Sequence, residues 1–230
     1  SLVLQNHLKI SKIGNRRRVY LSRMYDAEKY IAAKLDLLDK GCPEISNADI
    51  ALLISKIEAE EYIQYAKLQR EAIERSLRSG VTVLTGGPGT GKTTVIHAII
   101  RIFSALGFST VLAAPTGRAA KRMGELTGVE AKTIHRLLEM EYSADEVYPI
   151  FRRNEDCFIE EEVIILDEAS MIDTLLMSAL LHAIKPGSRL IIIGDSDQLP
   201  SVGAGSVLHD IIESDRFSTI KLTEIFRQAK

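Results

Sequence analysis

Gly86-Gly87-Pro88-Gly89-Thr90-Gly91-Lys92-Thr93 is the stretch that decides the fold, because it fills every fixed position of the pattern G-x-x-x-x-G-K-[ST]. The apolar run 81–85 precedes it and the helical pattern 94–100 follows it, so it joins a predicted strand to a predicted helix. Glycines let such a loop turn its N–H groups inward around an anion, and the helix adds its positive dipole end there. The sequence therefore predicts a nucleoside triphosphate site rather than a Gly-rich turn that binds nothing.

The expected ligands are ATP and Mg²⁺. Lys92 can reach the β- and γ-phosphates, and the hydroxyl of Thr93 can take a Mg²⁺ position. Gln69, on the helix before the first strand, is a candidate for reading the adenine edge, although a glutamine on a helix is commonly just solvated. The loop residues predicted to bind the nucleotide are Gly87, Pro88, Gly89, Thr90, Gly91, Lys92, Thr93 and Thr94.

From about residue 66 onward, predicted strands and helices alternate. Near-continuous apolar runs such as Val163-Ile164-Ile165-Leu166 are typical of strands buried on both faces of a parallel sheet. We expect strands at 81–85, 110–114, 163–167, 190–194 and 219–222, and helices at 68–79, 93–106, 116–126, 132–138, 171–184 and 206–213. This alternation predicts a P-loop NTPase of the three-layer α/β/α type, with a mainly parallel sheet, right-handed crossovers and ligands at the carboxyl ends of the strands.

Residues 1–65 have a different pattern. Two short apolar runs flank the turn signal Gly14-Asn15 and predict a hairpin with a basic turn at residues 16–18. Asp26 is expected to cap a first helix, and Ser46 or Asn47 a second one. We interpret residues 1–65 as the end of an N-terminal accessory region and residues 66–230 as the nucleotide-binding domain.

Composition adds limits rather than a function. A chain of 230 residues can hold one large domain, or one domain plus an appendage, and its net charge of −2 gives no bulk reason to expect nucleic-acid binding.

Cys42 and Cys157 are isolated, which predicts reduced thiols in a cytoplasmic protein without a zinc site. No signal peptide or run of transmembrane length is found, so no membrane partner is expected. The chain begins without Met and stops just after a strong motif, so we expect a piece of something longer.

Four further side chains are catalytic candidates. Asp167 and Glu168 end a predicted buried strand, where the first suits a Mg²⁺ ligand and the second a base for the attacking water; the alternative is a strand end that caps the next helix. Gln198 follows the next strand and can sense the γ-phosphate, unless it is simply a polar loop residue. Arg227 can stabilise charge on the transferred phosphoryl group, unless it is a solvated surface arginine.

Together these segments resemble superfamily 1B DNA helicases, specifically RecD-like enzymes of the longer stand-alone class. They look like the family's Q motif and motifs I, Ia, Ib (or Ic), II, III and IV, in family order: Gln69, 86–93, 114–120, 132–138, 167–171, 194–205 and 222–229. The resemblance covers about residues 66–230. It implies the first of two RecA-like motor domains of an ATP-dependent enzyme that moves 5′→3′ on single-stranded DNA in repair or recombination. Nothing here resembles the motifs of a second motor domain, so the chain alone is expected to be a monomer that does not unwind a 5′-tailed duplex.

The resemblance also implies DNA contacts at Pro115, Thr116, Arg118, Thr133 and His135. Hydroxyls, backbone N–H groups and one arginine at strand ends suit phosphate contacts without sequence readout. His135 is equally consistent with a structural helix cap.

Two segments keep open alternatives. The family carries a small strand-separating hairpin within 139–157, where an ordinary surface loop fits the sequence equally well. The basic run Lys9, Lys12, 16–18 and Arg23 is a possible DNA contact, with a solvated hairpin edge as the simpler interpretation.

Two other function classes remain. One is a P-loop ATPase that acts on a protein or a small molecule, against which the segments at 114–120 and 194–205 argue. The other is a non-enzymatic, nucleotide-dependent switch or binding module. The pair Glu168 and Arg227 favours a hydrolytic enzyme over that class.

Overall fold

The computed structural model describes residues 7–14, 16–142 and 149–225. The strands are β1 (Leu8–Ile13), β2 (Arg16–Leu21), β3 (Val81–Gly86), β4 (Thr110–Ala114), β5 (Ala131–Thr133), β6 (Met140–Glu141), β7 (Ile150–Phe151), β8 (Val163–Leu166), β9 (Arg189–Gly194) and β10 (Ser218–Leu222). The helices are α1 (Ser22–Gly41), α2 (Asn47–Glu61), α3 (Lys67–Arg78), α4 (Lys92–Ala105), α5 (Gly117–Thr127), α6 (Ile134–Leu137), α7 (Thr174–Ala183) and α8 (Val207–Glu213), with a 3-10 turn at Ala169–Met171.

A six-stranded parallel sheet lies at the centre of the molecule, in the order β10-β3-β9-β8-β4-β5. β3, β8 and β9 are buried along their whole length, as their uninterrupted apolar sequences require. All six strands point the same way, so the loops after β3, β8 and β9 meet at one edge of the sheet. This confirms the predicted P-loop α/β fold.

Helices cover both faces of the sheet and give it two cores. One core joins α1, α6, α7 and α8 to one face through apolar residues that include Leu35, Leu138, Leu180 and Leu208. The other joins α2, α3 and α4 to the opposite face, with Ile54, Ile73 and Ile99 among its members. The result is the predicted three-layer arrangement.

The five predicted strands and four of the predicted helices are confirmed to within one residue at each end. The helix expected over 132–138 is wrong in its first half. Ala131–Thr133 forms an edge strand that pairs with β4, and only 134–137 is helical. The pattern missed this strand because three half-buried residues at a sheet edge carry no apolar alternation of their own.

Two helix starts also differ from the expectation. The first helix begins at Ser22 rather than after Asp26, whose carboxylate forms an ion pair with Lys9 of the hairpin instead of capping. The helix expected over 171–184 begins at Thr174, because the Asp173 carboxylate accepts a hydrogen bond from the backbone N–H of Leu176 at 2.8 Å and caps it there.

The N-terminal hairpin is confirmed as an antiparallel pair of β1 and β2, but the basic turn expected at residues 16–18 is wrong, because these arginines pair with β1 as the first half of β2. α1 follows it and packs on α7, with Leu35 and Leu38 each 1% exposed within the sheet's own core. The Tyr30 ring stacks on His182 with centroids 3.7 Å apart, and its hydroxyl donates to Glu155 at 2.8 Å. The boundary near residue 65 stays a prediction.

Both cysteines are free thiols, as expected. Within the described part of the chain, no helix is long and apolar enough to cross a lipid bilayer.

Candidate functional site

The phosphate loop leaves β3 at Gly86, where the backbone passes close to its neighbours. A Cβ at Gly86 would lie 2.7 Å from the carbonyl oxygen of Leu222 and 2.9 Å from Thr90 Oγ1, so only glycine fits. Gly89 (φ +77°) and Gly91 (φ +83°) adopt the left-handed conformation that glycine enters without steric cost. These positions explain why the motif needs glycine there.

Lys92 is held within the curve of this loop. Its ammonium nitrogen donates to the carbonyl oxygens of Gly86 at 2.5 Å and Gly87 at 3.0 Å. The Thr90 hydroxyl also donates to Gly87, at 2.9 Å. Thr93, half-buried, and Thr94, exposed, lie in the first turn of α4, which begins at Lys92. The loop therefore places one positive charge at the start of a helix, where a bound phosphate gains most from it.

Asp167 follows β8 directly, and its backbone N–H donates to the carbonyl of Ala113 at 2.9 Å. Burial raises the pKa of the Asp167 carboxyl, and the neighbouring charge of Glu168 raises this pKa further. The charges of Lys92 and Arg122 act in the opposite direction and lower it. The carboxylate after β8 therefore lies within electrostatic reach of the lysine after β3.

Glu168 has a left-handed backbone, with φ +52°, which is uncommon for a residue with a long side chain. Its carbonyl accepts a hydrogen bond from the N–H of Met171 at 3.1 Å and starts the 3-10 turn. Backbone strain of this kind clusters at functional sites, where surrounding structure maintains it. The left-handed backbone thus sets the direction in which the half-buried Glu168 side chain leaves the strand that precedes it.

The loop after β9 is tied to both neighbouring strand ends. The Ser196 backbone N–H donates to Thr85 Oγ1 at 3.2 Å, which links the loop to the end of β3. Ser170, after β8, donates its hydroxyl to Gln198 Oε1 at 3.3 Å. The Gln198 N–H itself donates to the carbonyl of Asp195 at 3.2 Å. Gln198 is therefore anchored beside the segment that carries Asp167 and is more than an untethered loop residue.

The structure describes Gln69 but not Arg227. Gln69 is only 5% exposed, so the alternative of a solvated side chain is wrong. Its Oε1 accepts a hydrogen bond from the backbone N–H of Ala66 at 3.1 Å and thereby caps α3. Arg227 lies outside the described residues, and its assignment stays a prediction.

The predicted DNA contacts follow two neighbouring strands. β4 and β5 pair with Ala114 opposite Thr133, so Pro115 and Thr116 begin where Thr133 ends its strand. Arg118 is exposed in the first turn of α5. Four of the five residues thus gather at one corner of the sheet edge.

Both threonines at this corner are helix caps. Thr116 Oγ1 accepts from the N–H of Ala119 at 3.2 Å, and Thr133 Oγ1 accepts from the N–H of Arg136 at 3.1 Å. Each cap uses an oxygen lone pair, so the hydroxyl hydrogen stays free to donate outward. Thr133 caps α6. The alternative interpretation, in which His135 is the structural cap of this helix, is therefore wrong.

His135 contacts the segment 139–157 instead. Its half-buried ring lies 6.4 Å from the ring of Phe151, between centroids. Phe151 belongs to β7, which pairs antiparallel with β6, so the base of a small hairpin is present. The Arg152–Glu141 ion pair spans this base at 2.8 Å. Tyr148 and its neighbours 143–147 lie outside the described residues.

Sequence reasoning missed two residues of the site. Arg122 follows Arg118 by one helical turn on α5 and acts on the Asp167 carboxyl. Ser170 supplies the hydroxyl that holds Gln198. Arg122 had a detectable signal in its i, i+4 spacing from Arg118, whereas the Ser170 contact depends on two loops meeting.

Comparisons with known proteins agree with this geometry. A family model described as an AAA domain matches residues 69–204. The chain is 37% identical over 212 residues to the ATP-dependent RecD2 DNA helicase of Deinococcus radiodurans, an alignment that covers 92% of this chain and 28% of that protein. It is 40% identical over 168 residues to the RecBCD enzyme subunit RecD of Mycobacterium tuberculosis, over 63% of this chain and 28% of that one.

Among solved structures, the Pif1 helicase from Candida albicans is similar with a TM-score of 0.52 and 26% identity, over 72% of this chain and 41% of that one. The chain spans 28% of the length of the two curated relatives. The matched family region runs from the helix that carries Gln69 to the loop after Gln198, and it includes the predicted nucleotide-site residues other than Arg227. The chain therefore belongs to the AAA domain family, and its relatives confirm the resemblance to RecD-like superfamily 1 helicases.

Proposed function

We propose that this chain is the ATP-binding first motor domain of an ATP-dependent DNA helicase that moves 5′→3′ on single-stranded DNA in repair or recombination. The observation that carries the proposal is the convergence of three loops at one edge of the parallel sheet. These loops carry Lys92, Asp167 and Gln198, and the charge of Lys92 acts on the Asp167 carboxyl. Two hydrogen bonds, from Ser196 to Thr85 and from Ser170 to Gln198, tie the loop after β9 to the ends of β3 and β8.

The loop and Lys92 would bind the phosphates of ATP, while Thr93 and Asp167 would hold Mg²⁺. Asp167 fits a cation, because burial raises its pKa and a positive ion would offset the cost of its charge. When bound, Mg²⁺ would neutralise charge on the phosphate oxygens.

The remaining polar groups have separate roles in hydrolysis. Glu168 would accept the proton of the attacking water, with its position fixed by the left-handed backbone. Gln198 would report the γ-phosphate to the carboxylate segment through Ser170. Arg227 would stabilise charge on the transferred group, and Gln69 would read the adenine edge.

Single-stranded DNA would cross the corner formed by the ends of β4 and β5. The free hydroxyl hydrogens of Thr116 and Thr133 and the guanidinium of Arg118 would contact phosphates, with Pro115 and His135 beside them. These groups read no base edge, so the contact would tolerate any sequence.

A second motor domain would complete both sites. The curated relatives are several times longer than this chain, and a motor that alternates its grip on DNA needs a cleft that closes and reopens. We therefore propose that the chain alone is a monomer that binds nucleotide without unwinding a 5′-tailed duplex.

Two measurements test the proposal. Single-stranded DNA should stimulate ATP hydrolysis by the full helicase that carries this chain, whereas a P-loop ATPase acting on a protein or small molecule would show no such response. The isolated 230 residues should bind an ATP analogue and leave a tailed duplex intact. Strand displacement by this chain at a rate that follows ATP concentration would contradict the two-domain proposal.

A further inference from the structure

The N-terminal hairpin β1–β2 presents a group of cations that the nucleotide site does not use. Arg16, Arg17 and Arg18 are consecutive and exposed in β2, and Lys12 is exposed in β1. Within the described residues, none of these four side chains forms an ion pair. The hairpin is thus a local positive surface on a chain whose net charge is −2.

Most of the other arginines that the structure describes are either ion-paired or buried. Eight of them form ion pairs with carboxylates on the surface, and one more is buried against two phenylalanine rings. The paired arginines are Arg70, Arg75, Arg78, Arg101, Arg136, Arg152, Arg153 and Arg216. Three uncompensated arginines in a row therefore depart from the pattern of the molecule.

The strand register places some of these cations where they reduce the stability of the hairpin. Lys12 lies directly opposite Arg17, so two like charges face each other across the ladder, an arrangement that destabilises a hairpin. Arg16 and Arg18 alternate with Arg17 and point to the other face. The ribbon thus carries cations on both faces near its turn. Like charges placed opposite each other without a carboxylate to offset them reduce stability, and proteins commonly keep such unfavourable arrangements at functional sites.

The base of the hairpin is well anchored. Lys9 forms an ion pair with Asp26 of α1, and the rings of Tyr20 and Tyr25 lie 5.5 Å apart. These contacts fix the ribbon at the start of α1, while Lys12 and residues 16–18 stay exposed. An anchored ribbon loses little conformational freedom when a ligand binds it.

We infer that the β1–β2 hairpin is a second nucleic-acid site, which binds duplex DNA by placing the strand segments that carry Lys12 and residues 16–18 in a groove with phosphates on both sides. The major groove admits a two-stranded ribbon, and its walls carry anions that face both surfaces of such a ribbon. Lys12 and Arg17 would meet one backbone, and Arg16 and Arg18 the other. Bound phosphates would also remove the repulsion between Lys12 and Arg17.

The placement of the charges favours duplex DNA over an acidic protein partner. A peptide docked on one face would engage the cations of that face alone and leave the others solvated. The exposed pair Ile10 (55%) and Val19 (61%) lies opposite each other on the face of Lys12 and Arg17, where it can contact sugars and base methyl groups. This inference goes beyond the proposed motor, whose ATP and single-strand sites lie elsewhere.

The test measures duplex binding by the chain without nucleotide. A fluorescent duplex is titrated at several salt concentrations with the wild type and with R16A/R17A/R18A. We expect at least about tenfold weaker binding and a log–log salt slope smaller by about two to three. The control K56A/R75A/R78A removes the same charge from exposed, ion-paired positions on α2 and α3. Equal effects of both triple variants would overturn the inference.

Two further readouts separate the site from folding and from the single-strand track. R17T should unfold at or above the wild-type temperature, because it removes a like-charge pair, while its salt slope for duplex binding falls by about one. Single-stranded DNA binding through Arg118 should change by less than about threefold in the triple variant. An equal loss for single strands would overturn the duplex assignment, and so would poly-glutamate binding that needs the arginines while duplex binding does not.

Discussion

The ammonium nitrogen of Lys92 lies 2.5 Å from the carbonyl oxygen of Gly86, the residue that ends the central strand β3. This contact closes the phosphate loop on itself and holds its cation between the strand and α4. Burial raises the pKa of Asp167, and the charge of the same lysine opposes this rise, so the loop and the carboxylate after β8 are electrostatically coupled. Its removal should therefore affect nucleotide binding far more than folding.

Lys92→Ala should weaken binding of a fluorescent ATP analogue with Mg²⁺ by about tenfold to a hundredfold, since hydrogen bonds to charged groups contribute about 1.5–3 kcal/mol. Titration of the 230-residue chain measures this loss. The control is Lys121→Ala on α5, an exposed position paired with Glu125. Unchanged affinity in the Lys92 variant would contradict the phosphate-loop assignment.

Asp167→Asn should change stability in a pH-dependent way. Burial raises the folded pKa of the Asp167 carboxyl, so its contribution to stability is complete below the unfolded pKa of about 3.9 and is lost as pH rises through the folded value. Without Mg²⁺, the variant should therefore melt above the wild type at about pH 7.5, with a smaller difference at about pH 4, close to the unfolded pKa. Thermal unfolding measures both.

Added Mg²⁺ and ATP should reverse the order of these two proteins, because a ligand that binds the native state stabilises it and only the wild type keeps the Mg²⁺ carboxylate. A melting difference that stays constant with pH would show that the buried charge of Asp167 has no part in it.

Glu168→Gln should preserve nucleotide binding and lower hydrolysis by the full helicase by about two to four orders of magnitude, the scale for loss of a general base. Phosphate release under saturating ATP gives the rate. Glu160→Gln, at a side chain that is 84% exposed, is the matched control. Wild-type turnover in the Glu168 variant would place the catalytic base elsewhere.

The sheet was predictable because its strands are buried on both faces. Val163–Leu166 and Arg189–Gly194 are apolar along nearly their whole length, and burial of that surface determines where they lie. β5 has no such signature: Ala131–Thr133 is strand only because β4 leaves an edge to pair with. The apolar pattern of residues 131–133 alone cannot reveal this pairing with β4.

The candidate site also combines features that local sequence predicts with features that only tertiary contacts determine. Lys92 and Asp167 were predictable because each follows a buried strand within a motif that has a physical purpose. The capping role of Gln69 and the bond from Ser170 to Gln198 depend on tertiary contacts. The left-handed backbone of Glu168 is also set by its surroundings, since glutamate has no preference for that conformation.

Arg118→Ala should weaken binding of single-stranded DNA to a similar extent for all sequences and reduce the salt slope by about one, since it would remove the proposed phosphate contact. Fluorescence anisotropy with two oligonucleotides of unrelated sequence measures both quantities. Lys121→Ala lies one turn further along α5 and should change neither by much. A loss confined to one sequence would contradict a backbone contact.

Leu35→Ala tests how the first 65 residues relate to the domain that follows. Leu35 is 1% exposed and packs in the core that α1 shares with α7 and the sheet, so truncation should cost about 2–5 kcal/mol in the free energy of unfolding. Leu37, two residues further along the helix, is 66% exposed, and its replacement by alanine should cost less than about 0.5 kcal/mol. Denaturant unfolding of both variants gives the comparison.

Because α1 completes one core of the sheet, the wild type should unfold in a single transition that Leu35→Ala moves as a whole. Two transitions, with only the smaller one moved by the substitution, would instead show that the N-terminal region folds and unfolds independently of the nucleotide-binding domain.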